Sequence, residues 1–153
     1  RLSLLFGFEA VLWLFAVVWG TDILAYFGGR LIGGPKLWPR VSPSKTWSGF
    51  LTGVTSGAIA GTIVLMATIP SGRQNMLAFI LLGLIAGAIS QGGDLLESSI
   101  KRYYGVKDSS QLIPGHGGFM DRLDGFVTAA IFAALLGMLR GGVVNPATGL
   151  LIW

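Results

Sequence analysis

"GFLTGVTSGAIAGTIVLMATIP", residues 49–70, runs for 22 positions without a charged side chain. A helix of about 20 apolar residues is long enough to cross the hydrocarbon core of a bilayer, so this stretch predicts a transmembrane helix. The whole chain shares this character, because 52% of its 153 residues are hydrophobic and only 12% are charged. A soluble domain typically has about twice that charged fraction. The composition therefore indicates an integral membrane protein.

Three more apolar stretches are long enough to be spans, at about residues 3–28, 76–99 and 119–140. The 24 glycines fit this interpretation, because small residues let transmembrane helices approach closely. No run alternates with period two, so no strands are predicted. The tail, residues 141–153, is too short and too interrupted by Gly and Pro to be a span. We expect it at the membrane interface, with Trp153 as an anchor.

The predicted fold is thus an all-α polytopic membrane protein with four transmembrane helices. Eight of the eleven basic residues lie in or beside the first and third loops, and these are Arg30, Lys36, Arg40, Lys45, Lys101, Arg102, Lys107 and Arg122. In a four-helix chain these two loops share a side, which the positive-inside rule predicts to be cytoplasmic. The net charge of +4 is therefore explained by topology, and no nucleic-acid partner is predicted.

Five of the seven acids crowd the cytoplasmic ends of these helices: Asp22, Asp94, Glu97, Asp121 and Asp124. Ionised groups at membrane depth are costly unless they are paired or bind a metal, so they are candidate functional residues. Asp121 and Asp124 are three residues apart, which places both on one helix face. Oxygen ligands without any cysteine suit Mg²⁺. The alternative is that these acids simply pair with Lys101, Arg102 and Arg122.

Two segments resemble anion sites. "VSPSKTWSGF", residues 41–50, sets Lys45 among the hydroxyls of Ser42, Ser44 and Thr46 just before a helix, where N–H groups favour anions. Its alternative interpretation is a capped helix start. "PGHGGF", residues 114–119, places Gly117 and Gly118 beside the one histidine, His116. Glycines there would let main-chain N–H groups face a phosphate, although a single histidine in a loop is more often structural.

The stretch "SSIKRYYGVKDSSQLIPGHGGFMDRLDG" resembles the signature of phosphatidate cytidylyltransferases, also called CDP-diacylglycerol synthases, without departure over residues 98–124. Residues 21–34 and 41–50 are also similar to this family. Family members are commonly about twice as long, so the chain resembles their catalytic C-terminal half. Residues 1–153 are accordingly interpreted as a single transmembrane catalytic domain from a longer protein.

The resemblance implies transfer of a cytidylyl group from CTP to phosphatidate, which gives CDP-diacylglycerol and pyrophosphate. It implies that Asp94, Asp121 and Asp124 hold Mg²⁺, with a second cation and Asp22 as further candidates for the metal site. Phosphates would be held by Lys45, Lys101, Arg102, Lys107 and Arg122. His116 would bind phosphate or orient its loop, with protonation of the leaving pyrophosphate as the lesser alternative.

The predicted partners are CTP, phosphatidate and membrane lipids, and the resemblance further implies a homodimer. The active site would face the cytoplasm, at the inner membrane if the source is bacterial. Two alternatives remain open: a related CTP-dependent transferase acting on an isoprenoid or other lipid, and a Mg²⁺ or cation transporter. A transport path needs polar groups through the bilayer, and the middle of the second span offers only Thr and Ser.

Overall fold

The computed structural model describes residues 2–70, 72, 75–106 and 123–152. Within these ranges the elements follow the order α1 (Leu2–Ile32), β1 (Lys36–Trp38), β2 (Ser42–Thr46), α2 (Trp47–Thr68), α3 (Met76–Tyr103), α4 (Asp124–Gly141) and α5 (Pro146–Leu151). Helices α1 to α4 are each long and apolar enough to cross a membrane. The prediction of an all-α polytopic membrane protein with four spans is confirmed.

The predicted span limits are close to the observed ones. Helices α1 and α3 each continue four residues further than predicted, to Ile32 and Tyr103. Both extensions carry basic residues in their last turn, where cations interact favourably with the helix dipole. The predicted start of the fourth span at Phe119 lies outside the described residues.

The expectation of no strands is wrong for residues 36–46, which form a short antiparallel hairpin between α1 and α2. Lys36 pairs with Thr46 and Trp38 with Ser42. At the base of the hairpin, the N–H of Trp47 donates to the carbonyl of Pro35 over 3.1 Å. A two-stranded hairpin is marginal alone, and here the packed helices bring its two ends together. Residues 36–46 do not alternate between apolar and polar side chains, so the sequence does not reveal the hairpin. The pairing of its strands depends on the flanking helices α1 and α2.

Helices α1 and α2 approach almost backbone to backbone. Gly49, Gly53, Gly57 and Gly61 recur every fourth residue of α2 and are all buried. A β-carbon at Gly53 would lie 2.6 Å from the carbonyl oxygen of Thr21, so a larger residue there would force the helices apart. This is the small-residue packing expected between transmembrane helices.

The core lies further along the bundle, around the fully buried Trp13, Leu65 and Phe79. The C-terminal tail joins it through α5, a six-residue helix whose Leu150 and Leu151 are buried. The guanidinium of Arg140 donates to the carbonyl oxygen of Gly149 over 2.7 Å and to that of Ile152 over 3.1 Å. The tail is too short to span a membrane, as predicted, and these contacts pack α5 against the rest of the protein. Trp153 lies outside the described residues.

Candidate active site

A cleft of about 580 Å³ opens where the C-terminal halves of α1 and α3 meet the hairpin and the start of α2. Its charged lining comes from α1, both strands of the hairpin and α3, and is unlike the apolar bundle around it. The residues that line it are Asp22, Ala25, Tyr26, Gly29, Arg30, Lys36, Ser44, Lys45, Thr46, Gly49, Phe50, Gln91 and Asp94. Such a concave site with a few converging polar groups is the usual form of a small-molecule site.

An ion pair crosses the cleft. Lys45 Nζ lies 2.9 Å from Asp94 Oδ2, which ties the hairpin to α3 across 49 residues of sequence. Both side chains keep about a fifth of their surface exposed, at 23% and 21%. The pair therefore contributes little to stability, about 1 kcal/mol or less. Its main consequence is that it fixes a cation beside a carboxylate in the cleft.

The start of α2 determines where Lys45 lies. Thr46 is the N-cap of α2, and its hydroxyl accepts a hydrogen bond of 3.1 Å from the N–H of Gly49. The interpretation of residues 41–50 as a capped helix start is thus confirmed for Thr46. Ser44, Lys45 and Thr46 all line the cleft. Ser42, by contrast, pairs with Trp38 in the hairpin and is not part of the cleft lining.

Carboxyl groups gather beside this pair. The Asp124 carboxyl, at the first residue of α4, lies within interacting distance of Asp94 and Glu97 on α3. A β-carbon on Gly125 would lie 2.5 Å from Asp94 Oδ1, so the start of α4 packs directly against Asp94. Asp22 on α1 interacts electrostatically with Asp94 and Lys45. Three helices, α1, α3 and α4, therefore bring acids from distant parts of the sequence together.

Glu97 has one of the partners that the alternative interpretation of the acids implied, whereas Asp94 does not. Lys101 Nζ lies 3.1 Å from Glu97 Oε2, one helical turn away on α3. Lys101 is thus paired, as that interpretation expected of the basic residues, while Asp94 is paired to Lys45 on another element. Arg102, in the last turn of α3, is exposed and is not part of the cleft lining.

The donors present are chemically suited to Mg²⁺, although their positions do not form a complete metal site. Among the described residues, no three His, Asp or Glu side chains are arranged to hold one ion. Mg²⁺ characteristically takes one or two carboxylates and completes its shell with phosphate oxygens and water. Asp94 and Asp124, with Asp22 nearby, supply carboxylates of that kind. The donor chemistry fits the predicted ion.

The remaining predicted site residues lie outside the described part of the chain and stay predictions. They are Lys107, His116, Gly117, Gly118, Asp121 and Arg122. The expectation that Asp121 and Asp124 share a helix face stays a prediction as well, since α4 is described only from Asp124 onwards.

The sequence interpretation missed several residues of the cleft wall: Tyr26, Arg30, Lys36, Phe50 and Gln91. A usable signal was present, because Tyr26 and Arg30 are four residues apart and face each other on one helix. Arg30 Nη1 donates to the Tyr26 hydroxyl over 2.7 Å, and its guanidinium carbon lies 6.0 Å from the ring centroid. Segments 21–34 and 41–50 both resemble the family, but the sequence interpretation assigns from them only Asp22, Ser42, Ser44, Lys45 and Thr46.

Residues 3–139 match the model of the cytidylyltransferase family. The match covers most of the chain, so the protein belongs to this family, and the family predicted from residues 98–124 is confirmed.

Relatives at high identity make the resemblance more specific. A phosphatidate cytidylyltransferase of Brucella abortus biovar 1 (strain 9-941) is 48% identical over 134 residues, which are 88% of this chain and 48% of the relative. That of Staphylococcus aureus (strain COL) is 45% identical over 123 residues, which are 79% of this chain and 46% of the relative. That of Haemophilus influenzae (strain ATCC 51907 / DSM 11121 / KW20 / Rd) is 44% identical over 128 residues, which are 82% of this chain and 44% of the relative. The chain spans about half the length of the curated relatives it matches.

Proposed function

We propose that the protein containing this chain is a phosphatidate cytidylyltransferase, which converts CTP and phosphatidate into CDP-diacylglycerol and pyrophosphate. The observation that carries the proposal is the Lys45–Asp94 pair with Asp22 and Asp124 beside it, all at one end of an apolar bundle. Cations and carboxylates concentrated there suit a reaction between two phosphate compounds at the membrane surface. The relatives described above are named phosphatidate cytidylyltransferases, which supports the same reaction.

The reaction needs charge neutralisation more than it needs a base. A phosphate oxygen of phosphatidate, already anionic at neutral pH, attacks the α-phosphorus of CTP. The bond from this phosphorus to the bridging oxygen breaks, and pyrophosphate leaves with the bonding electrons. The obstacle is the approach of two polyanions, and donors positioned around the transferring group lower that barrier. Lys45, Lys101, Arg102, Lys107 and Arg122 are the proposed phosphate-binding cations.

Asp94, Asp121 and Asp124 are the proposed ligands of Mg²⁺, with Asp22 beside a second cation. Bound Mg²⁺ would supply positive charge that stabilises the transferring and leaving phosphates. Lys45 gives Asp94 a counter-charge and holds it at the cleft wall. His116, with Gly117 and Gly118, is proposed to bind phosphate, and protonation of the pyrophosphate is the lesser alternative.

The proposed site faces the cytoplasm, where CTP is available, and phosphatidate reaches it sideways from the bilayer. The concentration of basic residues in the first and third loops supports this orientation. A homodimer is part of the proposal and is testable by light scattering of the purified protein with its detergent contribution subtracted. A monomeric mass would remove that part alone.

The decisive experiment measures CTP-dependent pyrophosphate release by the full-length protein in detergent micelles. We expect release with phosphatidate and Mg²⁺, and none with diacylglycerol, which lacks the attacking phosphate. Release with an isoprenoid phosphate or alcohol but not with phosphatidate would instead favour a related transferase. Cation flux in proteoliposomes without any CTP turnover would favour a transporter. EDTA should abolish release and added Mg²⁺ should restore it.

A further inference from the structure

Two cations of the cleft have no counter-charge among the described residues. Arg30, at the end of α1, and Lys36, at the start of β1, both line the cleft, and both are exposed. In the part of the chain that the structure describes, neither forms an ion pair, whereas Lys45 is paired with Asp94. The end of α1 and the start of β1, here called the outer side of the cleft, therefore carry positive charge with no carboxylate partner among the described residues. Asp22 and Asp94, which lie further from the ends of α1 and α3, form the inner side. An anion entering the cleft is attracted to the outer side.

Arg30 is oriented before any ligand arrives. Its Nη1 donates to the Tyr26 hydroxyl over 2.7 Å, and the hydroxyl lies one helical turn back on the same face of α1. Holding a long side chain in one conformation lowers the entropic cost of binding. A guanidinium has five N–H donors in a fixed fork, so one bond to Tyr26 leaves others for a phosphate.

Exposed apolar side chains also lie at the outer side of the cleft. Leu31 and Ile32 follow Arg30 directly and are 82% and 67% exposed, and Trp38 on β1 is 49% exposed. Exposed tryptophan beside basic residues at a helix end is characteristic of the membrane–water interface. A phosphate carried on a lipid lies at this depth, because its acyl chains stay in the hydrocarbon.

We propose that Arg30 and Lys36, with Tyr26 as the positioning residue, form a binding subsite for the phosphate monoester head group of the lipid substrate. The inference rests on the proposed function and assigns one substrate within the cleft. The lipid phosphate binds at the outer, interfacial side, and the nucleotide binds at the inner side beside Lys45 and the carboxylates. The two substrates then meet with their reacting phosphates side by side.

The test compares Arg30→Gln and Lys36→Gln with Arg40→Gln, which removes an exposed cation from the same hairpin but outside the cleft. The KM of phosphatidate, as a mole fraction in mixed micelles, should rise about tenfold or more in each cleft variant, as expected for a lost bond to a charged group. The KM of CTP should change less than about twofold, and Arg40→Gln should resemble the wild type.

Tyr26→Phe should raise the phosphatidate KM by a smaller factor without changing kcat. A rise in the CTP KM instead, or no change in either KM, would overturn the assignment.

A binding measurement without CTP separates this inference from the proposed function. Dioctanoyl phosphatidate is titrated into the full-length protein by calorimetry, with dioctanoylglycerol as the control ligand without phosphate. Weaker phosphatidate binding by Arg30→Gln and Lys36→Gln supports the subsite, even if the wild type proves inactive with CTP. Equal binding by wild type and variants, or no phosphate-dependent binding at all, rejects the subsite while leaving the turnover assay to judge the function.

Discussion

The structure contains two concave regions whose linings are opposites. The cleft between α1, the hairpin and α3 encloses about 580 Å³ and is lined by five charged residues. A groove of about 370 Å³ lies between α3 and α4 near the opposite end of α3, and Asn75 is the one polar residue in its described lining. Its other lining residues are Leu77, Ala78, Leu81, Leu82, Ile85, Phe132 and Leu136. In a protein surrounded by lipid, an apolar groove is ordinary surface. The charged lining of the cleft, and not its volume, therefore distinguishes the candidate active site from the groove.

The most direct test of this comparison is to determine which end of the helix bundle faces the cytoplasm. The chain contains no cysteine, so single cysteines replacing Arg40 and Gly72 can be labelled separately in intact cells or sealed vesicles. Arg40 lies in the hairpin beside the cleft, and Gly72 lies between α2 and α3. We expect an impermeant thiol reagent to label position 40 only from the cytoplasmic side and position 72 only from the other side. Labelling of both from the same side would refute the proposed topology.

Loss of a carboxylate in the cleft should have the largest effect on turnover. Asp94→Asn and Asp124→Asn remove charge without changing volume, and we expect a fall in kcat of about 10²–10³-fold or more. Thermal unfolding in detergent should show that both variants stay folded. Glu9→Gln is the matched control, because it neutralises an acid in the N-terminal part of α1, far along the helix from Asp22. Near-normal turnover in Asp94→Asn or Asp124→Asn would remove that residue from the proposed metal site.

Removal of the paired cation should have an intermediate effect. Lys45→Gln deletes the charge that faces Asp94 at 2.9 Å. A lost bond to a charged phosphate corresponds to a fall in kcat/KM of about 10- to 150-fold. The melting temperature should change little, because a partly exposed pair contributes about 1 kcal/mol or less. A large fall in melting temperature with unchanged kcat/KM would mean that the pair is structural.

Changes in the apolar groove should have the smallest effect on chemistry. Leu136→Ala enlarges the groove without touching a polar group, so we expect the KM values and kcat to stay within about twofold of the wild type. The measurement is the same pyrophosphate assay with both substrates varied. A selective rise in the phosphatidate KM would show that the groove holds part of the lipid, and the contrast between the two regions would then be wrong.

The four spans were predictable because each crossing demands about 20 apolar residues, and few other structures produce such runs. The gathering of Asp22, Asp94 and Asp124 at one end followed from the same topology, since their positions along the spans are fixed. Membership of the cytidylyltransferase family was also predictable, from the fixed spacing of residues 98–124.

Pairing between distant elements could not be predicted in this way. The Lys45–Asp94 contact depends on where the hairpin rests against α3, and the two residues are 49 positions apart. The hairpin has no pattern of its own, because its pairing comes from the helices that flank it. The sequence interpretation uses Arg30 and Lys36 only to orient the chain in the membrane, because their position in the cleft, without a carboxylate partner among the described residues, becomes visible only in three dimensions. The roles of all the predicted site residues, Asp121 and His116 among them, stay predictions.

The close approach of α1 and α2 has a mechanical consequence for the cleft. A β-carbon at Gly57 would lie 2.7 Å from the carbonyl oxygen of Val17, so the two backbones are almost in contact at that level. We expect two helices in such contact to move as one unit, with the hairpin attached to them at both its ends. On that expectation, the cleft widens to admit a nucleotide through displacement of α3. Such a displacement would break the Lys45–Asp94 contact.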